Sequence, residues 1–384
     1  MVKIVLMSVG DIILDLDGYA NALEHVGPVL RQADFAMASC DQCFSDLGDN
    51  PNGYWPIYYG APPHKADMLT AIVAAGLNVL NFGNNHSLDW GYEAMEDCVA
   101  RCSAEDVYSF GYGSSLSQAR EPLILEKNGL RIGNLAYCSV GPEGYAATDT
   151  RPGHVPLRAY THYEQWNPQP GTPPLIHTFA DRNDLSAMVA DISALRDKVD
   201  VITVSHHWGV HFIPELIADY QFEVAHAAID AGADVIFGNH PHMPKGIELY
   251  KGKPVFYGMN DFACAGAWQS PAHQPGNRFP QSKDWDWTRH GKLLSERFGQ
   301  VGHQDKSSTM IAKLLIEKGG VARVSVIPCF INDDLRPEPV TRADPRAQRI
   351  CDEFQRISSS QGIDITLEWD GDEIILKGTD KLLP

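Results

Sequence analysis

Through residues 1–260, short apolar runs alternate with stretches of helical spacing. The runs Lys3–Val9, Phe35–Ser39, Leu77–Phe82, Val199–Ser205, Val235–Gly238 and Pro254–Tyr257 predict buried strands. Between them, Lys65–Ala75, Tyr92–Cys102, Asp184–Arg196 and Ile217–Ala231 carry the spacing of amphipathic helices. Strand–helix alternation of this kind predicts a layered α/β fold with several parallel pairings. The segment LILEKNGLRIGNLAY departs from it, because Asn128-Gly129 between two apolar runs is a hairpin signal. The sheets are therefore expected to be mixed.

Two segments lack periodicity. Residues 141–182, rich in Pro, Gly and Thr, read as a long surface excursion. Residues 265–306 hold Trp268, Trp285, Trp287, His273, His290 and His303 and read as a substrate lid, since loops this long are commonly functional. Arg278 and Arg289 in the same segment hint at a substrate with an aromatic or anionic part. STMIAKLLIE and VARVSVIPCF then read as strands closing the sheet, and ITLEWDGDEIILKG as a hairpin turning at Asp370-Gly371. The resulting expectation is a main domain over residues 1–330, with the lid inserted in it, and a C-terminal extension, 331–384, whose hairpin packs against that domain.

Composition narrows the function classes. With 44% apolar and 21% charged residues, the 384-residue chain has the makeup of a globular protein. Its formal net charge of -18 disfavours nucleic acid as a partner, since phosphate binding needs a basic surface. The apolar run in MVKIVLMSVGD is too short for a signal-peptide core or a membrane span. The expectation is therefore a cytoplasmic protein with no membrane partner, acting on a small molecule or peptide. Cys40 and Cys43 form a C-x-x-C pair, but no second pair completes a structural zinc site, so the cysteines read as ordinary reduced thiols.

The chemistry gathers where the apolar runs end. The first ends at Gly10-Asp11 and the second at Ser39-Cys40-Asp41. The third ends at Gly83-Asn84-Asn85-His86, the fourth at His206-His207-Trp208-Gly209 and the fifth at Asn239-His240-Pro241-His242. In open α/β sheets ligands bind at the carboxyl ends of strands, so these segments are expected to converge on one rim. Carboxylates crowded there repel one another unless a cation neutralises them. Mixed carboxylate and imidazole donors suit one or two divalent ions such as Mn²⁺, Fe²⁺ or Zn²⁺. Pro241 stiffens the backbone between two imidazoles aimed at such ions.

These motifs, GDIIL, NNHSLDWG, HWG and the run from Gly232 to Phe262, resemble the capsule-synthesis protein family called CapA, grouped with the calcineurin-like metallophosphoesterases. The resemblance covers most of residues 3–330 and implies a four-layer α/β/β/α sandwich with metal at the strand ends. It implies that Asp11, Asp41, Asn85, His207, His240 and His242 are metal ligands, with Asp41 bridging. It also implies that His86 protonates the leaving group and that Asp89 orients His86. Some positions depart from the pattern. Ile13 stands where the phosphoesterases carry a histidine, and Asp41 where CapA relatives read glutamate. His211 stands where those relatives often read glutamate, and Asn260-Asp261 replaces their glycine-asparagine.

The leading expectation is a metal-dependent hydrolase. In it a metal-bound hydroxide attacks a phosphoester, or an ester, lactone or amide, while His206 and His211 steady the developing anion. Two alternatives stand beside it. One is acid–base chemistry such as peptide epimerisation, with the surplus histidines as bases. The other is a non-catalytic role in capsule or poly-gamma-glutamate biosynthesis, as the family name implies. Against the last, an acidic chain repels polyanions.

Overall fold

The first strand, Lys3–Ile12, shows how the layers form. Its side chains alternate between two cores: Ile4 and Leu6 join the larger apolar cluster, and Met7 and Val9 the other. The larger cluster also takes residues of a second sheet, such as Ile132, Val201 and Val235, together with Met188 and Val224 from helices. The smaller one takes Leu30, Ile72, Met95 and Cys98 from helices outside the first sheet. One face of the first strand thus meets the second sheet and the other meets helices, which is consistent with four layers. These relations come from a computed structural model that describes residues 3–14, 18–48, 65–142, 144–165, 167, 174–211, 215–263 and 307–378.

Both main sheets are mixed. In the 10-stranded sheet, Lys3–Ile12 lies parallel to Phe35–Cys40, which is followed by Val79–Asn81 and Tyr108–Phe110. On its other side it pairs antiparallel with Ser308–Glu317. In the 6-stranded sheet, Leu130–Cys138, Val201–His207, Val235–Asn239 and Lys253–Phe256 run parallel, with antiparallel strands at both edges. The hairpin at Asn128-Gly129 supplies one of those edges, and both turn residues have positive φ.

The structure corrects the sequence reading in three places. The surface excursion at 141–182 contains strands that its sequence does not predict: Ala159–Glu164 and Leu175–Ala180 pair as a two-stranded ribbon whose second strand touches the helix Asp219–Asp230. A helix, Pro345–Ser360, precedes the C-terminal hairpin; Asp344 caps it and Ile350, Phe354 and Ile357 are its buried stripe. The fourth strand continues through His207 rather than stopping at Ser205. The hairpin itself, Ile365–Asp370 with Glu373–Gly378, extends the large sheet by pairing with Gly320–Ile331. The expected lid at 265–306 lies outside the described residues. Among the described residues, no helix is long and apolar enough to cross a membrane. The described cysteines, Cys40 and Cys43 included, are buried and unbridged.

Candidate metal centre

The central parallel strands of both sheets end at the same rim. Asp11 sits in the last turn of the first strand's pleat, fully buried, beside Asp261 in register. Its Oδ2 accepts from the His240 amide at 2.9 Å. This approach depends on Gly10, where an added Cβ would lie 1.8 Å from the Asn260 carbonyl oxygen, far inside contact distance. Asp41 follows the second strand; its amide donates to the Ile12 carbonyl, and its Oδ1 accepts from the Ser39 hydroxyl at 3.2 Å. Its other oxygen, Oδ2, is buried without a hydrogen bond and lies 3.7 Å from His207 Nε2.

His207 is fully buried, and neither ring nitrogen has a hydrogen-bond partner. Nδ1 lies 4.0 Å from Asp11 Oδ1, so the imidazole stands between the two acids. His206 does not join this group. Because the strand runs on through both histidines, the pleat sends adjacent side chains to opposite faces. His206 therefore points to the helix layer, stacked on Trp208 with ring centroids 4.3 Å apart and on Tyr137, its cross-strand neighbour, at 5.7 Å. The expectation that His206 steadies an anion is corrected accordingly. Burial pushes its pKa down to about 3, so the ring is neutral at pH 7, and both its nitrogens lack partners.

His206→Phe should keep the stack and remove two unsatisfied nitrogens, raising stability by about 1–3 kcal/mol at neutral pH. The advantage should grow as pH falls below the ordinary histidine pKa of 6.5. There the unfolded wild-type ring takes up a proton that the folded one refuses, so wild type loses stability and the variant does not. Denaturant melts of both proteins at two pH values check it.

His240 and His242 follow the fifth strand on strained backbone, with φ of 93° and 53°. Such strain in non-glycine residues is concentrated at functional sites. His240 Nδ1 is buried without a hydrogen bond. His242 Nδ1 meets Asp261 Oδ1 at 2.5 Å and lies 3.8 Å from Asp11 Oδ2. A carboxylate bonded to one ring nitrogen fixes the tautomer and turns the other nitrogen toward a ligand, as is general for metal-bound histidines. Asp261 is the site residue that sequence reasoning left without a role. Its strand, Asp261–Ala263, has three residues, and only its pairing with the first strand sets the acid beside Asp11.

The loop after the third strand is tied to Asp41's segment by Asn84 Nδ2, which donates to the Cys40 carbonyl at 2.7 Å. Asn85 is buried and its Oδ1 has no partner. His86 Nδ1 lies 2.7 Å from Asp89 Oδ2, and Asp89 Oδ1 accepts from the Tyr145 hydroxyl at 3.0 Å. His211 lies against the histidine pair, its ring centroid 3.9 Å from that of His240 and 5.3 Å from that of His242. His154, which sequence reasoning also missed, is buried with Nδ1 unpartnered.

Electrostatically the group is self-opposed. Burial pushes the Asp11 pKa up to about 6, with nearby Asp261 adding to the rise and His242 opposing it. Burial, then Asp11 and Asp261, push Asp41 well above the carboxylate range. Burial first, and then neighbouring imidazoles, drive His207 and His240 far below the usual histidine value. Neutral imidazoles and carboxylates with open lone pairs are the donor set of a divalent cation. Among the described residues, two sets of donors have ligand atoms within 4.8 Å of one another: Asp11, Asp41 and His242, and His211, His240 and His242. The residues present fit a divalent metal.

The profile described as bacterial capsule synthesis protein PGA_cap matches residues 5–265. The chain is 26% identical over 257 residues to the PGA biosynthesis protein CapA of Bacillus subtilis, covering 65% of this chain and 58% of that one. It is 25% identical over 280 residues to the capsule biosynthesis protein CapA of Bacillus anthracis, covering 69% and 61%. The matched regions thus span about six-tenths of the length of these relatives. Among solved structures, the calcineurin-like phosphoesterase YfkN of Bacillus subtilis aligns with 94% of this chain and 98% of its own, at 13% identity and a TM-score of 0.40.

Proposed function

We propose that this chain, which belongs to the bacterial capsule synthesis protein family PGA_cap, is a metal-dependent hydrolase of a phosphoester or of an ester, lactone or amide bond. One observation carries the reading: buried acids and imidazoles meet at the strand ends, with Asp41 Oδ2, His207 and His240 Nδ1 lacking hydrogen bonds, beside a His86–Asp89–Tyr145 relay. Asp11, Asp41, Asn85, His207, His240 and His242 would hold the ion or ions. A divalent ion there supplies Lewis acidity and a nucleophile at neutral pH. The chain's own residues do the rest. Asp261 orients His242, and Asp89 holds the His86 ring with Nδ1 engaged, leaving Nε2 to pass a proton to the leaving group. Tyr145 in turn anchors Asp89.

The epimerase alternative loses one of its bases, because His206 faces the helix layer. The relatives' names favour a second reading, in which the protein assists capsule or PGA biosynthesis by binding alone. A panel of phosphoesters, lactones and amides, assayed with and without chelator, separates the two. Chelator-sensitive turnover supports the hydrolase. Capture of polyglutamate that is indifferent to chelator, with no product from any substrate, supports the binding role.

A further inference from the structure

We propose that His211 is itself a metal ligand, closing a three-imidazole position with His240 and His242 next to the carboxylate position of Asp11, Asp41 and His242. The inference rests on the metal-centre reading above, and it replaces the expectation that His211 steadies an anion.

The backbone carries His211 to this place. Trp208 is pinned by two hydrogen bonds, its amide to the Asn239 carbonyl at 3.1 Å and its indole Nε1 to the Tyr257 carbonyl at 3.0 Å. Gly209 then turns the chain at φ 89°, with its amide held by the Tyr220 hydroxyl at 2.7 Å. That positive φ is one that side-chain-bearing residues rarely adopt, so the turn calls for glycine. Two residues past this turn, the His211 ring lies on His240 with centroids 3.9 Å apart.

The three rings offer nitrogens within 4.8 Å of one another. Ligand nitrogens about 2.0–2.1 Å from a common ion stand somewhat closer than that, so modest closure suffices. The independent mark of a ligand here is His240 Nδ1, a fully buried nitrogen with no hydrogen bond. Packing alone gives no reason to gather three imidazoles around such an atom; a cation does. The two positions share His242 but differ in chemistry. One is rich in carboxylate oxygen and the other is all nitrogen, which favours Zn²⁺ or Fe²⁺ over Mg²⁺.

The test is metal binding, not turnover. Wild type, His211→Ala and His211→Glu are stripped with chelator and checked for unchanged circular dichroism. They are then titrated with Zn²⁺ against a competing chelator, and with Co²⁺ while the visible absorption is followed. His211→Ala should lose Zn²⁺ affinity by more than about 100-fold, beyond the 10–100-fold typical of removing a mere supporting residue. It should also change the Co²⁺ spectrum. His211→Glu, which restores a ligand of different shape, should recover most of the affinity. Wild-type affinity in His211→Ala would overturn the proposal. So would equal losses in both variants, which would assign the ring a packing role. Metal binding as described without turnover of any substrate would remove only the hydrolase reading, while a wild type that binds no ion would remove both.

Discussion

Asp41→Asn is expected to abolish tight divalent-ion binding while leaving the metal-free fold close to wild type. Asp41 is fully buried beside Asp11, with one oxygen unpartnered and 3.7 Å from His207 Nε2. Burial first, and then the neighbouring acids, push its pKa well above the carboxylate range, which favours the neutral form. Asparagine reproduces that neutral form in shape, and for this reason the apo protein should tolerate it. A cation, by contrast, needs the ionised oxygen and must displace the proton to reach it. Two measurable consequences follow. Affinity in the variant should fall by more than about 100-fold, more than the loss of a supporting residue produces. In wild type, affinity should rise with pH. Burial raises both carboxyls, Asp11 to about 6 and Asp41 well above the carboxylate range, so the ion displaces protons that are held less firmly as pH rises. The gain should approach about tenfold per pH unit for each proton displaced. Calorimetric titration across pH checks the sign. An affinity that falls with rising pH would show that these carboxyls are not the ligands.

The second large effect, for the hydrolase proposed above, is on turnover. His86→Ala should leave metal content unchanged and lower kcat by about 10²- to 10⁴-fold, the usual worth of a positioned proton donor. The ring is nearly buried but is held by Asp89 rather than by the acid cluster, so its loss removes no ligand. Asp89→Asn should sit between wild type and His86→Ala, because an amide oxygen still accepts from Nδ1 but without charge. Tyr145→Phe, which leaves the His86–Asp89 bond in place, should do least. Loss of metal from His86→Ala would move His86 into the ligand set.

The sequence made the strand ends legible because the parallel-sheet rule needs only short apolar runs and the polar residues after them. Asp11, Asp41, His207, His240 and His242 come together for that reason. What it hid depended on one-residue details. Ending the fourth strand at Ser205 left His206 and His207 looking alike, whereas the pleat of a strand reaching His207 separates them completely. Asp261 lies on a strand of three residues, too short to show periodicity, and its role appears only when that strand lies beside Asp11. The ribbon within 141–182 carries exposed Tyr163 and Ile176 on a two-stranded unit, so it lacks the buried face that makes strands visible from sequence.

The most direct measurement is thermal melting of chelator-stripped protein titrated with Mn²⁺ and with Zn²⁺. A pocket that crowds buried acids against His207 and His240, whose ring nitrogens lack hydrogen bonds, should melt higher with each addition. The gain is about 2.7 kcal/mol at a hundred times the dissociation constant, and it should reverse with chelator and vanish in Asp41→Asn. A melting temperature that neither ion moves, with no heat of binding, would contradict the account at its root.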